Sequence, residues 1–333
     1  MYLSSYLYKY IPHAEDLNRG YMDVAHNLKK MHKFVIILAL ITIPCKGQNE
    51  KNNPTEIPTP EIIKTSEFEL IKAENQKGLL ILFPCFPCDA ENTLSEFKIK
   101  GISVKNGFSV LAMNLNQHLF LKPTEKQKLA EQLEIIISQN DLPNKNIFIG
   151  GFSSGGNVSL LISDYLVENK SQIQPEGLFI VDSPIDFLAL YKTAKKNLEM
   201  NFAEPSVQEA TWIKGFFDKE FGNPESGIAN YEKNSPFTYE TQNIQNLRGL
   251  KNLKIRLYTE PDLKWWKENR KNDFEDLNAF YIEKLSDILK SEFGNKNVEL
   301  IKTENKGYRA NGERHPHSWA IVNEKDLMIW MME

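Results

Sequence analysis

The chain has 333 residues, a length that suits two domains of average size or one large α/β domain. Its hydrophobic share of 41% and its charged share of 25% are those of ordinary globular proteins, which excludes collagen-like, coiled-coil and low-complexity chains. A net charge of −4 leaves no basic excess for binding nucleic acid, and three cysteines are too few for a disulfide-rich scaffold or a four-cysteine zinc site.

Residues 1–47 are predicted to be a leader rather than part of the fold. An apolar run at 34–43 follows a basic start and is shorter than the roughly 20 residues that a bilayer crossing needs. This pattern indicates a secretory signal peptide at about 31–47, with cleavage after Gly47. The sequence therefore predicts an exported protein, periplasmic or secreted, with no transmembrane span. Two alternatives stay open: a lipoprotein anchored through Cys45, and a buried core strand at 34–43.

After the leader, a polar linker is predicted at 48–65, and strand and helix patterns then alternate to the end of the chain. Strands are predicted at 67–71, 79–83, 108–115, 147–149, 178–181, 253–258 and 298–301, and helices at 123–137, 157–169 and 277–288. Repeated strand–helix units imply an α/β fold with a mostly parallel central sheet flanked by helices. The irregular, aromatic-rich stretch at about 184–250 is predicted to be a cap inserted into this domain, which covers 66–333.

The strongest chemical signal is the motif G-x-S-x-G, which spans Gly151 to Gly155. It follows a buried strand and opens a helix, and this context gives the motif its meaning. The sharp turn needs small residues two positions before and after Ser153, and the two glycines supply them. The helix N-terminus directs backbone N–H groups, that of Ser154 first, at an oxyanion formed on the turn. The alternative is a glycine- and serine-rich loop without chemistry.

A nucleophilic serine needs a base, and a histidine base needs a carboxylate that fixes its tautomer. Glu260 and Asp262 follow a predicted strand and so lie at the sheet edge where sites form in α/β proteins. The chain has six histidines, of which three fall in the leader. Of the others, His315 and His317 come after the last strand and lead into a helical segment. The spacing alone chooses neither between the two carboxylates nor between the two histidines.

The order serine, acid, histidine on alternating strands and helices resembles the α/β-hydrolase superfamily. The resemblance covers about residues 66–333. It implies a triad of Ser153, Asp262 and His317, because in many members the acid stands about three residues past the strand end and the histidine precedes a small residue and an aromatic. Glu260 and His315 are the alternates. The resemblance also implies that no metal or cofactor takes part.

The turn after the first core strand departs from the superfamily pattern, which often has a His-Gly-rich segment there. This chain has Pro84-Cys85-Phe86-Pro87-Cys88, and a proline cannot donate a hydrogen bond. The second oxyanion donor, beside the Ser154 N–H, is therefore expected from Cys85, Phe86 or Cys88, with Cys85 or Phe86 favoured. The same segment has the C-x-x-C spacing of thiol–disulfide oxidoreductases, so a redox protein is a further alternative.

Together these observations predict an exported serine hydrolase that cleaves small-molecule carboxylic esters through an acyl-enzyme on Ser153. A peptidase or an acyltransferase would use the same triad. A ligand-binding protein that keeps the fold without a reactive serine is the alternative outside the enzyme class.

Overall fold

The computed structural model describes residues 60–115 and 118–333. The predictions for the leader 1–47 lie outside the described residues: the signal peptide, the cleavage and the lipid anchor at Cys45. They stay predictions. So does most of the predicted linker, whose last six residues, 60–65, are described.

A short strand lies inside the predicted linker, which is therefore wrong at its C-terminal end. Glu61–Lys64 forms β1 and pairs antiparallel with the strand Phe68–Lys72. Three of its four residues are exposed, so its sequence carries no apolar alternation that would indicate a strand. The sheet consequently begins at Glu61 rather than near residue 67.

Eight strands form one sheet in the described part of the chain. They are β1 (Glu61–Lys64), β2 (Phe68–Lys72), β3 (Gly78–Phe83), β4 (Phe108–Met113), β5 (Ile147–Phe152), β6 (Pro175–Val181), β7 (Lys254–Thr259) and β8 (Val298–Lys302). Their spatial order is β1-β2-β4-β3-β5-β6-β7-β8. The pairs that join β1 to β2 and β2 to β4 are antiparallel, and all others are parallel.

Helices follow most strands and flank the sheet. They are α1 (Ala90–Glu96), α2 (Lys100–Lys105), α3 (Pro123–Gln139), α4 (Ser154–Glu168), α5 (Phe187–Met200), α6 (Glu204–Glu220), α7 (Ala229–Asn234), α8 (Leu263–Arg270), α9 (Asn278–Phe293) and α10 (Glu324–Met332). The predicted mostly parallel sheet flanked by helices is confirmed. No helix of the described segments is both long enough and apolar enough to cross a bilayer.

Two hydrophobic cores cover the two faces of the sheet. The side chains of a strand alternate between faces, so Leu79, Ile81 and Phe83 of β3 join one core while Leu80 and Leu82 join the other. Helices α3, α4 and α9 close the first core, and α1 and α10 close the second. The central strands are fully buried, which is why they read in the sequence as continuous apolar runs.

The chain between β6 and β7 forms α5, α6 and α7 and several short 3-10 turns. Its aromatic side chains pack on each other: the Phe217 ring lies 5.3 Å from the Phe221 ring and 5.8 Å from the Tyr231 ring. These residues belong to the same hydrophobic core as the helices on one face of the sheet. This segment therefore shares its core with the sheet instead of enclosing one of its own.

The register of the parallel strands aligns the residues that follow them. Phe152 of β5 pairs with Val181 of β6, and Val181 pairs with Tyr258 of β7. The residue that follows each of these three paired positions therefore lies at the same level of the sheet edge. Those residues are Ser153, Asp182 and Thr259.

Candidate active site

Ser153 occupies a strained turn between β5 and α4. Its backbone has φ 55° and ψ −126°, a conformation that residues with a side chain rarely adopt. The turn is held on both sides: the Ser153 N–H donates to Val181 O at 2.9 Å, and Ser153 O accepts from the Gly156 N–H at 3.0 Å. The side chain is half-buried, so Oγ is presented at the sheet edge.

The three glycines around Ser153 lie where a Cβ would meet neighbouring atoms, backbone atoms at Gly151 and Gly155 and side-chain atoms at Gly156. A Cβ on Gly151 would lie 2.1 Å from Gly155 O, and one on Gly155 would lie 2.3 Å from Phe83 O. A Cβ on Gly156 would lie 1.8 Å from Ser183 Oγ. The G-x-S-x-G spacing thus follows from how tightly α4 is drawn against the ends of neighbouring strands.

His317 is paired with Asp182, a carboxylate that the sequence analysis did not consider. His317 Nδ1 and Asp182 Oδ2 are 2.6 Å apart. The imidazole ring lies 4.5 Å from the ring of Phe152, the residue before Ser153. His317 therefore stands beside the serine turn with its Nδ1 fixed on a carboxylate.

Asp182 is itself held firmly at the end of β6. The residue is 5% exposed. Thr259 Oγ1 donates to Asp182 Oδ1 at 2.8 Å, the Asp182 N–H donates to Tyr258 O at 2.8 Å, and Asn278 Nδ2 donates to Asp182 O at 2.9 Å. One carboxylate oxygen is thus taken by the threonine, which leaves the other for His317.

The expectation that Asp262 pairs with His317 is wrong in this structure. Asp262 Oδ1 accepts from the Trp265 N–H at 3.0 Å and so caps α8, and Asp262 Oδ2 accepts from Arg314 Nη2 at 2.6 Å. The physical reason is the arginine, which arrives three residues before His317 and neutralises this carboxylate. β6 ends at the same edge as β7, and the residue after it, Asp182, is the carboxylate that contacts His317.

Glu260, the alternate acid, is also engaged elsewhere. It is 2% exposed, and it accepts from Arg314 Nη2 at 2.6 Å and from Thr303 Oγ1 at 2.8 Å. The backbone N–H groups of Lys306 and Gly307 complete its partners at 2.9 Å and 3.1 Å. Glu260 therefore organises the loop that follows β8.

His315, the alternate base, lies in a buried position away from the carboxylates. It is 6% exposed, and its ring lies 4.7 Å from the ring of Trp265. Burial, together with the nearby charge of Arg309, lowers the pKa of His315 to about 2, so the ring is neutral. Its Nδ1 and His317 O are 3.0 Å apart, which suits donation from Nδ1–H to that carbonyl. The structure thus uses His315 to hold the backbone of His317.

Ser153 and His317 share one edge, although the hydrogen bonds within the described residues include none between their side chains. Such bonds often form only once substrate is bound. What the structure does bring together is the serine turn, the Phe152 ring, His317 and Asp182.

Two backbone segments border the expected oxyanion site. The Ser154 N–H opens α4 and belongs to the first turn, whose N–H groups lack partners within the helix. On the other side, the Cys88 N–H donates to Cys85 O at 2.7 Å, so Cys88 is not a free donor. The remaining donors of that loop are those expected from the sequence, Cys85 and Phe86.

Cys85 and Cys88 form a disulfide that closes this loop. The Phe86 ring between them stacks on Trp212 of α6, with ring centroids 4.4 Å apart, and Trp212 stacks in turn on Phe216 at 5.4 Å. These three side chains are half-buried. They form an aromatic wall, defined here as Phe86, Trp212 and Phe216, that starts at the loop 84–88 after β3.

The part of the chain that the structure describes contains no group of three or more His, Cys, Asp or Glu side chains arranged to hold a metal ion.

A solved structure of another protein shares this architecture. An esterase/lipase from an uncultured bacterium superposes with a TM-score of 0.50 at 13% identity, over 82% of this chain and 85% of that one. This chain has the α/β-hydrolase fold. An esterase of the bacterial hormone-sensitive lipase family is similar at a TM-score of 0.49 and 16% identity, over 81% of this chain and 80% of that one. No protein-family model and no curated protein matches the sequence.

Within the α/β-hydrolase fold, Ser153 occupies the nucleophile elbow, the strained strand-to-helix turn of G-x-S-x-G. Along the chain, the residues that the structure groups at this edge are Ser153, Asp182 and His317, so Asp182 stands where the sequence analysis expected Asp262. A signal for Asp182 was present in the sequence, because it directly follows the predicted strand 178–181.

Proposed function

We propose that this protein is a serine hydrolase that cleaves carboxylic esters through an acyl-enzyme on Ser153. The observation that carries the proposal is the 2.6 Å contact between His317 Nδ1 and buried Asp182, beside a serine held at φ 55°. A serine on a strained elbow, a neighbouring histidine and a carboxylate that fixes the tautomer of that histidine are the parts of acyl-transfer chemistry. The likeness in fold to an esterase/lipase adds support by analogy.

In the proposed reaction, Ser153 Oγ attacks the ester carbonyl carbon while its proton passes to His317 Nε2. Asp182 keeps the proton of His317 on Nδ1, so that Nε2 is the free acceptor, and it stabilises the imidazolium that forms. The tetrahedral intermediate collapses, the carbon–oxygen bond to the alcohol breaks, and the alcohol leaves with the proton from His317. Water then attacks the acyl carbon with His317 again as base, which releases the carboxylic acid and restores Ser153.

The negative charge of both tetrahedral intermediates needs fixed donors. We assign them to the Ser154 N–H and to the N–H of Phe86 or Cys85, which border the elbow from opposite sides. Removal of one such donor typically costs about 10² to 10³ in rate. The aromatic wall begins at the same loop and offers an apolar surface for the acyl group or the alcohol of the ester.

Labelling with a fluorophosphonate, read by intact mass, tests the activated serine. We expect one stoichiometric adduct on the wild-type protein and none on Ser153→Ala, which should stay folded. A panel of p-nitrophenyl esters of increasing acyl length then measures turnover, and matched anilides separate esterase from peptidase activity. A folded wild-type protein that gives no adduct contradicts the proposal and favours a non-catalytic ligand-binding role.

Export remains part of the proposal. Its support is the apolar run at 34–43 after a basic start, together with the Cys85–Cys88 disulfide, since disulfides persist mainly in oxidising compartments. Expression of the full chain in a bacterium, followed by fractionation and mass measurement of the mature N-terminus, tests it. A terminus near Gln48 indicates a secreted form, a lipid-modified Cys45 indicates an anchored one, and an unprocessed cytoplasmic chain contradicts export.

A further inference from the structure

Arg314 lies at the centre of a partly buried ion cluster that the proposed reaction does not use. Its Nη2 donates to Glu260 Oε1 and to Asp262 Oδ2, both at 2.6 Å. Its Nη1 donates to Gly307 O at 2.7 Å. The Arg314 side chain is 20% exposed and that of Glu260 only 1%, so this arginine is committed to the protein rather than offered to a substrate.

The cluster fastens the loop from β8 to His317 onto the end of β7. Glu260 accepts from the Lys306 and Gly307 N–H groups, which fixes the first part of the loop. Gly307 O receives both Arg314 Nη1 and the His315 N–H, the latter at 3.0 Å, which fixes the last part against the first. A Cβ on Gly307 would lie 2.5 Å from His315 O, so the two parts are in direct backbone contact.

The fastened segment ends at the histidine itself. His315 Nδ1 lies 3.0 Å from His317 O, and Ser318 Oγ donates to Tyr308 O at 3.1 Å. The backbone on both sides of His317 is therefore anchored within a few residues. The direction of the His317 ring is then set by its Nδ1 on Asp182 and by the Phe152 ring 4.5 Å away.

We propose that Arg314, held by Glu260 and Asp262, is the positioning residue that sets the placement of the base His317. The two carboxylates after β7 thus act on the reaction through the histidine loop, while Asp182 after β6 contacts the histidine directly. This inference rests on the proposed function, because the placement of His317 affects turnover only if His317 is the base. A displacement of a catalytic group by about 1 Å can cost on the order of 10² in rate.

Substitution of Arg314 by lysine and by methionine tests the assignment. A lysine ammonium keeps the charge but cannot reproduce the planar fork that reaches two carboxylates and a carbonyl. We expect kcat per fluorophosphonate-titrated site to fall about tenfold for Arg314→Lys and about a hundredfold for Arg314→Met, with KM within twofold of wild type. Normalisation to titrated sites removes any contribution from unfolded protein.

Arg256 offers a matched control. It likewise lies between two carboxylates, Glu299 at 2.8 Å and Asp326 at 2.7 Å, but it ties β7 to β8 and α10. Arg256→Lys should lower the melting temperature and leave kcat per titrated site within twofold of wild type. If Arg314→Lys behaves in the same way, Arg314 is a structural residue only and the inference is wrong.

A second readout separates failure of this inference from failure of the proposed function. The Nδ1 proton between His317 and Asp182 should give a downfield proton NMR signal in the wild-type protein, whether or not the serine reacts. We expect this signal to be lost or broadened in Arg314→Lys and retained in Arg256→Lys. An unreactive wild type with this pattern overturns the proposed function alone, whereas an unchanged signal and unchanged kcat in Arg314→Lys overturn the positioning role alone. Where Arg314→Met does not fold, Arg314→Lys decides.

Discussion

Replacement of Asp182 by asparagine tests the central pairing of the site. Thr259 Oγ1 donates to Asp182 Oδ1 at 2.8 Å, so an asparagine there keeps its carbonyl oxygen toward the threonine and turns its NH₂ toward His317. The imidazole must then accept at Nδ1 and carry its proton on Nε2, the nitrogen that has to receive the serine proton. The substitution therefore leaves the packing intact and gives His317 the wrong tautomer.

The expected loss follows from this tautomer. A carboxylate-to-amide change in a serine triad costs about 10³ to 10⁴ in kcat, or about 4 to 5 kcal/mol of transition-state stabilisation at 1.36 kcal/mol per factor of ten. The assay is p-nitrophenyl ester hydrolysis at saturating substrate, with folding checked by circular dichroism. KM should stay close to the wild-type value, because the substrate does not contact Asp182 in the proposed mechanism.

Asp262→Asn is the matched comparison, since the family resemblance implied Asp262. Asparagine caps a helix as well as aspartate does, and Arg314 keeps its pairing with Glu260 at 2.6 Å. We expect at most about a tenfold loss in kcat, from the positioning effect alone. A loss in Asp262→Asn as large as in Asp182→Asn, or an Asp182→Asn protein within tenfold of wild type, would refute the reasoning.

Two further predictions concern the disulfide-closed loop 84–88 and the buried His315. Cys85→Ser with Cys88→Ser should lower kcat about tenfold without changing KM, because the loop that presents the Phe86 N–H loses its crosslink; unchanged kcat would show that the loop holds its geometry without the bond. His315→Gln should flatten the acid dependence of stability. The pKa of His315 is lowered in the folded state to about 2, so below pH 6.5 the unfolded chain binds the proton and the folded chain does not, and stability falls as the pH falls. Between pH 6.5 and 5 this amounts to about 2 kcal/mol, measured as the difference between the two proteins in urea unfolding at each pH, and equal pH dependence in both would contradict it.

Much of the fold could be predicted from the sequence because its central strands are buried on both faces. β3, β4 and β5 each form a continuous apolar run, and such runs between helical patterns indicate a parallel sheet. The start of α4 was predicted three residues late, at 157 instead of Ser154. Gly155 and Gly156 are poor helix formers, and they are helical here because the tight approach to β3 and β6 requires residues without side chains.

The Ser153 turn was predictable because the steric demands of a sharp strand-to-helix turn leave a local signature of glycines at fixed spacing. The partners of Ser153 leave no such signature, because each is contributed by a different strand end and their meeting depends on the sheet register. Ser153, Asp182 and Thr259 come to one level only through the pairing of β5 with β6 and of β6 with β7. His317 follows β8, and the structure pairs it with Asp182, whose position at the same sheet edge depends on this register.

Asp182 and Asp262 have different surroundings because of Arg314, a residue that lies outside both strand ends. Asp182 and Asp262 are each the first or third residue past a strand that ends at the same edge, so position cannot distinguish them. What distinguishes them is charge: Arg314 already compensates Asp262 and Glu260, and a carboxylate paired with a permanent cation stabilises a developing imidazolium far less than a free one. Asp182 has no cation among its hydrogen-bond partners in the described structure, only Thr259, two backbone or amide contacts and His317. Asp182 Oδ2 therefore faces His317 without a competing cation, and the arginine that occupies Asp262 is the same one that holds the histidine loop in place.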